Sequence, residues 1–411
     1  AFILMGTLLD EFFLNIKKPV IGNYLDVGLL VFNGFDLHLL AGFHQNNDGK
    51  TVFTRDVKFF LHPSFPKHSE LENILTNEIG SRVALVGTEK VFVVEMPHDL
   101  WGRMSLCGPS IGDHVLPVYY CKCSTVGSDA HQTPRSYNIV KAQWYFKELE
   151  ETGAKVNKIA ILYSNNVLRI YDSADALDVP VIKIDFNLVI HSQDHSLSFS
   201  NSLGLQDNIV SFDFGPLIST EADNELYNTI FAIDSVDRIY VAPIRFDEAR
   251  VLPFSGPFPI RLSNANTTGF EFCDFSYVRH RESSCIPTFA CVSNKGSLFN
   301  FIMSQPDKGF DNGRLNCNFL LFDSIQLTED VYPHYRIVPD FMGSGHYFVL
   351  GKSDVFSVDV TPWINVFLKS YHYETSAENV EMKETSVDHI FSVVSTDTSA
   401  GDGGKTFITS L

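Results

Sequence analysis

One phrase recurs along the chain: an alternating apolar stretch, a short polar turn, and a second alternating stretch. It is written as Arg82-Val83-Ala84-Leu85-Val86-Gly87, then Thr88-Glu89-Lys90, then Val91-Phe92-Val93-Val94-Glu95. Altered copies occupy residues 158–171, 229–244 with a turn at Ser235, 290–303 with a turn at Asn294, and 347–360 with a turn at Lys352. An earlier copy spans 25–40 through Asn33-Gly34. Alternation with period two sends successive side chains to opposite faces of a strand, and a short polar turn between two such runs makes a hairpin. Six hairpins at intervals of roughly 55 to 77 residues must each bury an apolar face against neighbours, which predicts a β-propeller.

A blade spacing of about 59 residues predicts about seven blades in a chain of this length. The expected fold is all-β, a single irregular propeller over residues 1–411 with long decorated loops. Those loops are the polar connections 62–80, 104–138, 173–200 and 304–318, longer than a compact propeller needs. Two stretches rich in helix formers, 69–75 and 147–151, are expected as short helices. Residues 374–388 and 395–405 are acidic and rich in Ser, Thr and Gly, so they read as mobile, with further strands at 388–394 and 406–411. A chain that stops on strand-like residues is expected to close its ring through residues 2–9 or through a partner.

Composition narrows this picture. With 35 Phe and 45% hydrophobic residues, the chain can build a large core, and it contains no run of about 18 apolar residues that would predict a transmembrane segment. The apolar opening Ala1-Phe2-Ile3-Leu4-Met5 lacks a basic leader and reads as a trimmed strand or helix. A net charge of −18 disfavours direct nucleic-acid binding and favours basic protein partners, although it also serves plain solubility. Seven cysteines do not suggest a disulfide framework, and Cys121-Lys122-Cys123 has no second pair at zinc spacing, so buried thiols are expected and no metal. The glycosylation triplet Asn266-Thr267-Thr268 carries no weight without secretion. The three tryptophans are never followed by Asp, so this is not a standard WD-repeat propeller.

Catalytic chemistry finds no complete constellation. Asp213-Phe214-Gly215 imitates a kinase metal triplet without a His-Arg-Asp loop or a glycine-rich phosphate loop. His191-Ser192-Gln193-Asp194-His195 places two imidazoles on one face of a hypothetical strand, but in a polar stretch that reads as a solvated loop. Gly343-Ser344-Gly345-His346 precedes a strand, whereas a dinucleotide fingerprint precedes a helix. No cofactor and no enzymatic activity are expected.

Four blocks carry a family resemblance. Arg82-Val83-Ala84-Leu85-Val86-Gly87, continuing to Val94-Glu95-Met96-Pro97 and Trp101-Gly102, resembles the N-terminal propeller of the nucleoporin eighty-eight family. Val140-Lys141-Ala142-Gln143-Trp144-Tyr145 with Asn165-Asn166-Val167-Leu168-Arg169-Ile170-Tyr171 is similar to the next part of that family, as are Ser202-Leu203-Gly204 and Val210-Ser211-Phe212-Asp213-Phe214-Gly215-Pro216-Leu217. Residues 356–363 resemble a late strand of the family, while its C-terminal coiled-coil region is absent from this chain. The resemblance implies a non-enzymatic scaffold of the nuclear pore complex, on the cytoplasmic face of the nuclear envelope. It further implies docking of the autoproteolytic domain of nucleoporin ninety-eight, association with nucleoporin two hundred and fourteen and the cytoplasmic-filament assembly, and support of protein and messenger-RNA export. The same fold physics would also serve an adaptor of a coat or trafficking complex. Phe-Gly occurs once, at Phe214-Gly215, so the chain is not a disordered Phe-Gly barrier protein.

For the docking surface, Phe212-Asp213-Phe214-Gly215-Pro216-Leu217 ends a strand with a Gly-Pro turn, where an apolar side chain can stand at a rim. Phe214 and Leu217 are the candidate anchors, with Asp213 offering a carboxylate to a partner lysine. The competing reading sends Phe212 and Phe214 into the core, since alternating aromatics are ordinarily buried. Trp101, beside Gly102, is a second candidate that interior packing would equally explain. An open strand edge, or the acidic stretch 374–384 capturing a basic tail, are the remaining possibilities.

Overall fold

A computed structural model describes residues 7–14, 16, 18–66, 70–98, 100, 118–127, 137–148, 155–174, 177–190, 208–219, 226–235, 237–260, 271–280, 286–304, 310–311, 314–328, 331–340, 343–373 and 384–392. Each hairpin read from alternation is present, and each forms the middle of a four-stranded group. The first group is β2 (Val20–Tyr24), β3 (Gly28–Phe32), β4 (Leu37–Ala41) and β7 (Arg55–His62), and the second is β8 (Leu71–Thr76), β9 (Arg82–Gly87), β10 (Val91–Glu95) and β11 (Val118–Thr125). The third is β12 (Ile139–Glu148), β13 (Lys155–Tyr163), β14 (Val167–Asp172) and β15 (Ile182–Asp185). The fourth contains β16 (Ile209–Phe214), β17 (Ile218–Ser219), β18 (Leu226–Asp234), β19 (Arg238–Arg245), β20 (Arg250–Val251) and β21 (Ser255–Pro259). The fifth contains β22 (Phe272–Val278), β23 (Thr288–Ser293), β24 (Ser297–Ser304) and β27 (Asn318–Gln326), beside the small pair β25 (Phe310–Asp311) and β26 (Arg314–Leu315). The sixth contains β28 (Arg336–Pro339), β29 (His346–Leu350), β30 (Asp354–Asp359) and β31 (Ser386–Ser392). These repeated sheets make the chain all-β and propeller-like; a seventh group is not found among the described residues.

The described residues fall into two compact units. One holds those up to Ile161 together with Arg169–Val181, and the other holds Leu162–Leu168 and those from Ile182 onward, so the division passes through the third group.

In the first unit the first two groups are one eight-stranded sheet, ordered β2-β3-β4-β7-β11-β10-β9-β8. Its join is the parallel pair β7–β11, with Phe60 opposite Tyr120. The sheet curls until β2 meets β8: the Thr76 hydroxyl donates to the Asn23 carbonyl at 2.6 Å, and a Cβ on Gly22 would stand 2.5 Å from the Ile74 carbonyl oxygen. Leu39, Phe59, Val83, Leu85 and Val94, none of them exposed, fill the interior. A second cluster around Val31, Leu40 and Phe53 receives Leu9, Phe12 and Phe13 from α1 (Leu9–Leu14). Beside it stands a three-stranded sheet of β1 (Thr7–Leu8), β6 (Thr51–Phe53) and β5 (His44–Gln45).

In the second unit the fourth and fifth groups pack through aromatics. The Phe231 and Phe289 rings lie 4.7 Å apart, Phe275 stacks on Phe289 at 5.4 Å, and Phe319 meets Phe301 edge-on at 5.7 Å. Aromatic pairs of this geometry add about 0.5–1.5 kcal/mol to the burial of their area. Side chains also tie each group's first strand to the next. Ser211 Oγ donates to Asp274 Oδ1 at 2.6 Å, Ser276 Oγ donates to Asp213 Oδ2 at 2.9 Å, and Asp274 Oδ2 accepts the Ile337 amide at 2.8 Å. The helix α2 (Thr361–Tyr373) starts with Asp359 accepting the Thr361 amide and Pro362 in its first turn, and it lays Trp363 and Phe367 against Phe322.

Two expectations are corrected. Residues 69–75, expected as a helix, contain β8, because the stretch completes a sheet beside β9 that no isolated helix propensity can match. Lys147 and Glu148 close β12 and are not helical, and the rest of that stretch, 149–151, lies outside the described residues. The connections 62–80, 104–138 and 173–200 likewise carry the blade strands β8, β11 and β15, and 304–318 carries β25 and β26. Strand β31 covers the first part of the strand expected at 388–394. Trp101, residues 191–195, 266–268, 374–383, 395–405 and 406–411 lie outside the described residues.

Candidate functional site

Strand β16 leaves its sheet at Gly215-Pro216 and continues as β17, which pairs back onto the start of β18. The bend needs glycine by close approach: a Cβ at Gly215 would stand 2.2 Å from the Phe231 ring. Two bonds fix the turn, the Gly215 amide to the Thr229 carbonyl at 2.9 Å and the Thr229 hydroxyl to the Pro216 carbonyl at 2.6 Å.

The predicted residues separate at this bend. Phe214 is 2% exposed, with its ring edge-on to Phe212 at 6.2 Å. Asp213 is 3% exposed, and its carboxylate accepts the Phe214 amide at 2.7 Å, the Ser276 hydroxyl and the Tyr277 amide at 2.8 Å. Neither reaches the surface, so Phe214 as anchor and Asp213 as a partner for lysine are corrected: both faces of β16 are covered. Asp213-Phe214-Gly215 is thus used for packing and for holding β16 to β22.

Leu217, in contrast, is 43% exposed, and Gly215 and Pro216 are half-buried. Ile218 and Tyr227 are paired and both are buried beneath the hairpin. Alternation therefore turns Leu217 and Leu226 to the same outward face, where Leu226 is 59% exposed. The two leucines stand diagonally on the outward face, over the buried Ile218 and Tyr227 pair. Leu226 was missed in the sequence because it opens the strand that carries the hairpin repeat and stands four residues, an even number, before the buried Ile230, so alternation alone would bury it.

Among the described residues, no group of three or more His, Cys, Asp or Glu side chains stands where it would hold a metal. Gly343-Ser344-Gly345-His346 does lead into a strand, β29, and the Ser344 hydroxyl donates to Asp340. No helix is long and apolar enough to cross a membrane among the described residues.

Serial four-stranded groups of this kind are the build of a propeller-like protein. The family model described as "Nup88: Nuclear pore component" matches residues 23–244, more than half of the chain. The chain belongs to this Nup88 family of nuclear pore components, and the four sequence blocks fall inside or across the matched stretch. It is 24% identical over 380 residues to Protein npp-24 of Caenorhabditis elegans, a match covering 92% of this chain and 54% of that protein. The chain thus spans about half the length of that relative. The fold is similar to a chain in the crystal structure of the Chaetomium thermophilum heterotrimeric Nup82 NTD-Nup159 TAIL-Nup145N APD complex, with TM-score 0.62, 12% identity, and 96% and 93% of the two chains covered. It is also similar to one in the yeast heterotrimeric Nup82-Nup159-Nup116 nucleoporin complex, with TM-score 0.52, 12% identity, and 91% and 90% covered.

Proposed function

We infer that this chain is a non-enzymatic docking scaffold of the nuclear pore complex, and that the β17–β18 rim is where a partner seats. Membership of a family of nuclear pore components carries the scaffold reading. The outward leucine pair Leu217 and Leu226 carries the site, with Gly215 and Pro216 shaping it. The partner in this reading is the autoproteolytic domain of nucleoporin ninety-eight. A second association is with nucleoporin two hundred and fourteen and the cytoplasmic-filament assembly, at the cytoplasmic face and in support of protein and messenger-RNA export. Support comes from relatives of similar fold, whose complexes join Nup82 to Nup159 with Nup145N or Nup116. A seventh blade belongs to the same proposal.

Titration calorimetry of the chain with the autoproteolytic domain tests the reading. The expected result is one-to-one binding that weakens at least tenfold when Leu217→Ser and Leu226→Ser are combined, about the value of burying one to two such side chains. Binding that the double variant leaves intact would remove the site and keep the function; absence of binding by the parent chain would remove the partner.

A further inference from the structure

The turn that joins β3 to β4 surrounds one side-chain amide, that of Asn33, with the parts of an acyl-transfer site. The Phe35 and Asp36 backbone amides donate to Asn33 Oδ1 at 2.9 and 2.8 Å. Two N–H donors on one carbonyl oxygen stabilise the negative charge that grows there when its carbon is attacked. On the other arm of the same amide, Asn33 Nδ2 stands 3.2 Å from Nε2 of His38. His38 is 9% exposed, and its Nδ1 lies 2.9 Å from Asp56. An ionised carboxylate only accepts, so the ring carries a proton at Nδ1 and turns Nε2 to Asn33. Lys58, opposite His38 on β7, pairs with Asp36 at 2.6 Å, and the Phe12 ring of α1 meets the imidazole edge-on at 5.5 Å.

The nucleophile is the next residue. Gly34 is exposed, its φ is 100°, and no heavy atom lies within 4 Å of where a Cβ would stand. Among the described residues its N–H donates to no acceptor. The peptide nitrogen that follows an asparagine can close a five-membered ring on Cγ, and a glycine leaves that approach open.

We propose that Asn33 is a self-modification site, at which His38 and the Phe35 and Asp36 amides assist loss of the side-chain amide. Gly34 N gives its proton to water and bonds to Asn33 Cγ, and the two backbone amides hold the charge on Oδ1. The Cγ–Nδ2 bond then breaks: His38, protonated from solvent at Nε2, passes that proton to Nδ2, which leaves as ammonia. Water opens the succinimide to aspartate or isoaspartate at position 33. The net change is water in and ammonia out, with nothing oxidised or reduced. The product sets a carboxylate beside His38 in place of a neutral amide. The test is a time course of peptide mass mapping on the chain at neutral pH in oxygen-labelled water, folded and in guanidinium chloride, with Asn312-Gly313, the same pair elsewhere in the sequence, as reference for the unfolded rate. Asn33 is expected to take up labelled oxygen about tenfold faster in the folded chain than in guanidinium. His38→Gln, checked for folding by near-ultraviolet circular dichroism, is expected to slow the folded rate about tenfold and to leave the unfolded rate unchanged. The proposal is overturned by folded conversion no faster than unfolded, by a folded His38→Gln chain that converts at the parent's rate, or by main-chain cleavage after Asn33 in place of conversion. Where His38→Gln does not fold, the two rates of the parent chain decide.

Discussion

Asp213 illustrates how a side chain that reads as surface chemistry becomes architecture. Its carboxylate takes the Tyr277 amide and the Ser276 hydroxyl of the next sheet, so Asp213→Ala leaves buried donors unmatched at about 1–3 kcal/mol each. A lower urea midpoint, with β structure retained, is the expected result. The thiols of Cys121 and Cys123 are buried on β11, and burial pushes them up to about 12 and about 11 from an ordinary 9.0. Folded thiols therefore hold their protons where unfolded ones lose them. Their stabilisation is complete below pH 9.0 and is lost as pH climbs toward about 11 and then about 12. Urea midpoints across that window should fall, and Cys121→Ala with Cys123→Ala should flatten the fall.

At the scale of elements, period-two alternation carried far: the six hairpins stand where the sequence places them. The alternation of β16 was legible but its exposure was not. Ser211, Phe212, Asp213 and Phe214 are all buried because a blade strand is covered on both faces, and alternation assumes one wet face. The parallel β7–β11 join pairs residues about as far apart as one whole blade, and local pattern holds no record of such pairing. Nor did it signal α2, whose Trp363, Ile364, Phe367 and Leu368 stripe follows a strand without a loop of turn residues. The β2–β8 approach makes a sharp prediction: Gly22→Ala forces a methyl onto the Ile74 carbonyl and should cost about 1–3 kcal/mol, read as a lowered melting temperature. An unchanged melt would mean that the two strands do not meet as described.

For the molecule as a whole, a charge of −18 and an apolar rim work on different steps of association. In the proposed reading the charge steers a basic partner, so added salt should slow its association rate while changing dissociation little. The leucines act after contact, and their loss should appear chiefly in dissociation. Family membership was legible in four short blocks, whereas the rim is set by which leucine the fold turns outward. Hydrogen exchange of the chain, alone and saturated with the autoproteolytic domain of nucleoporin ninety-eight, tests the docking claim most directly. The account predicts slowed exchange at the amides of residues 217–219 and 226–228; slowing confined to other segments, with these unchanged, would contradict it.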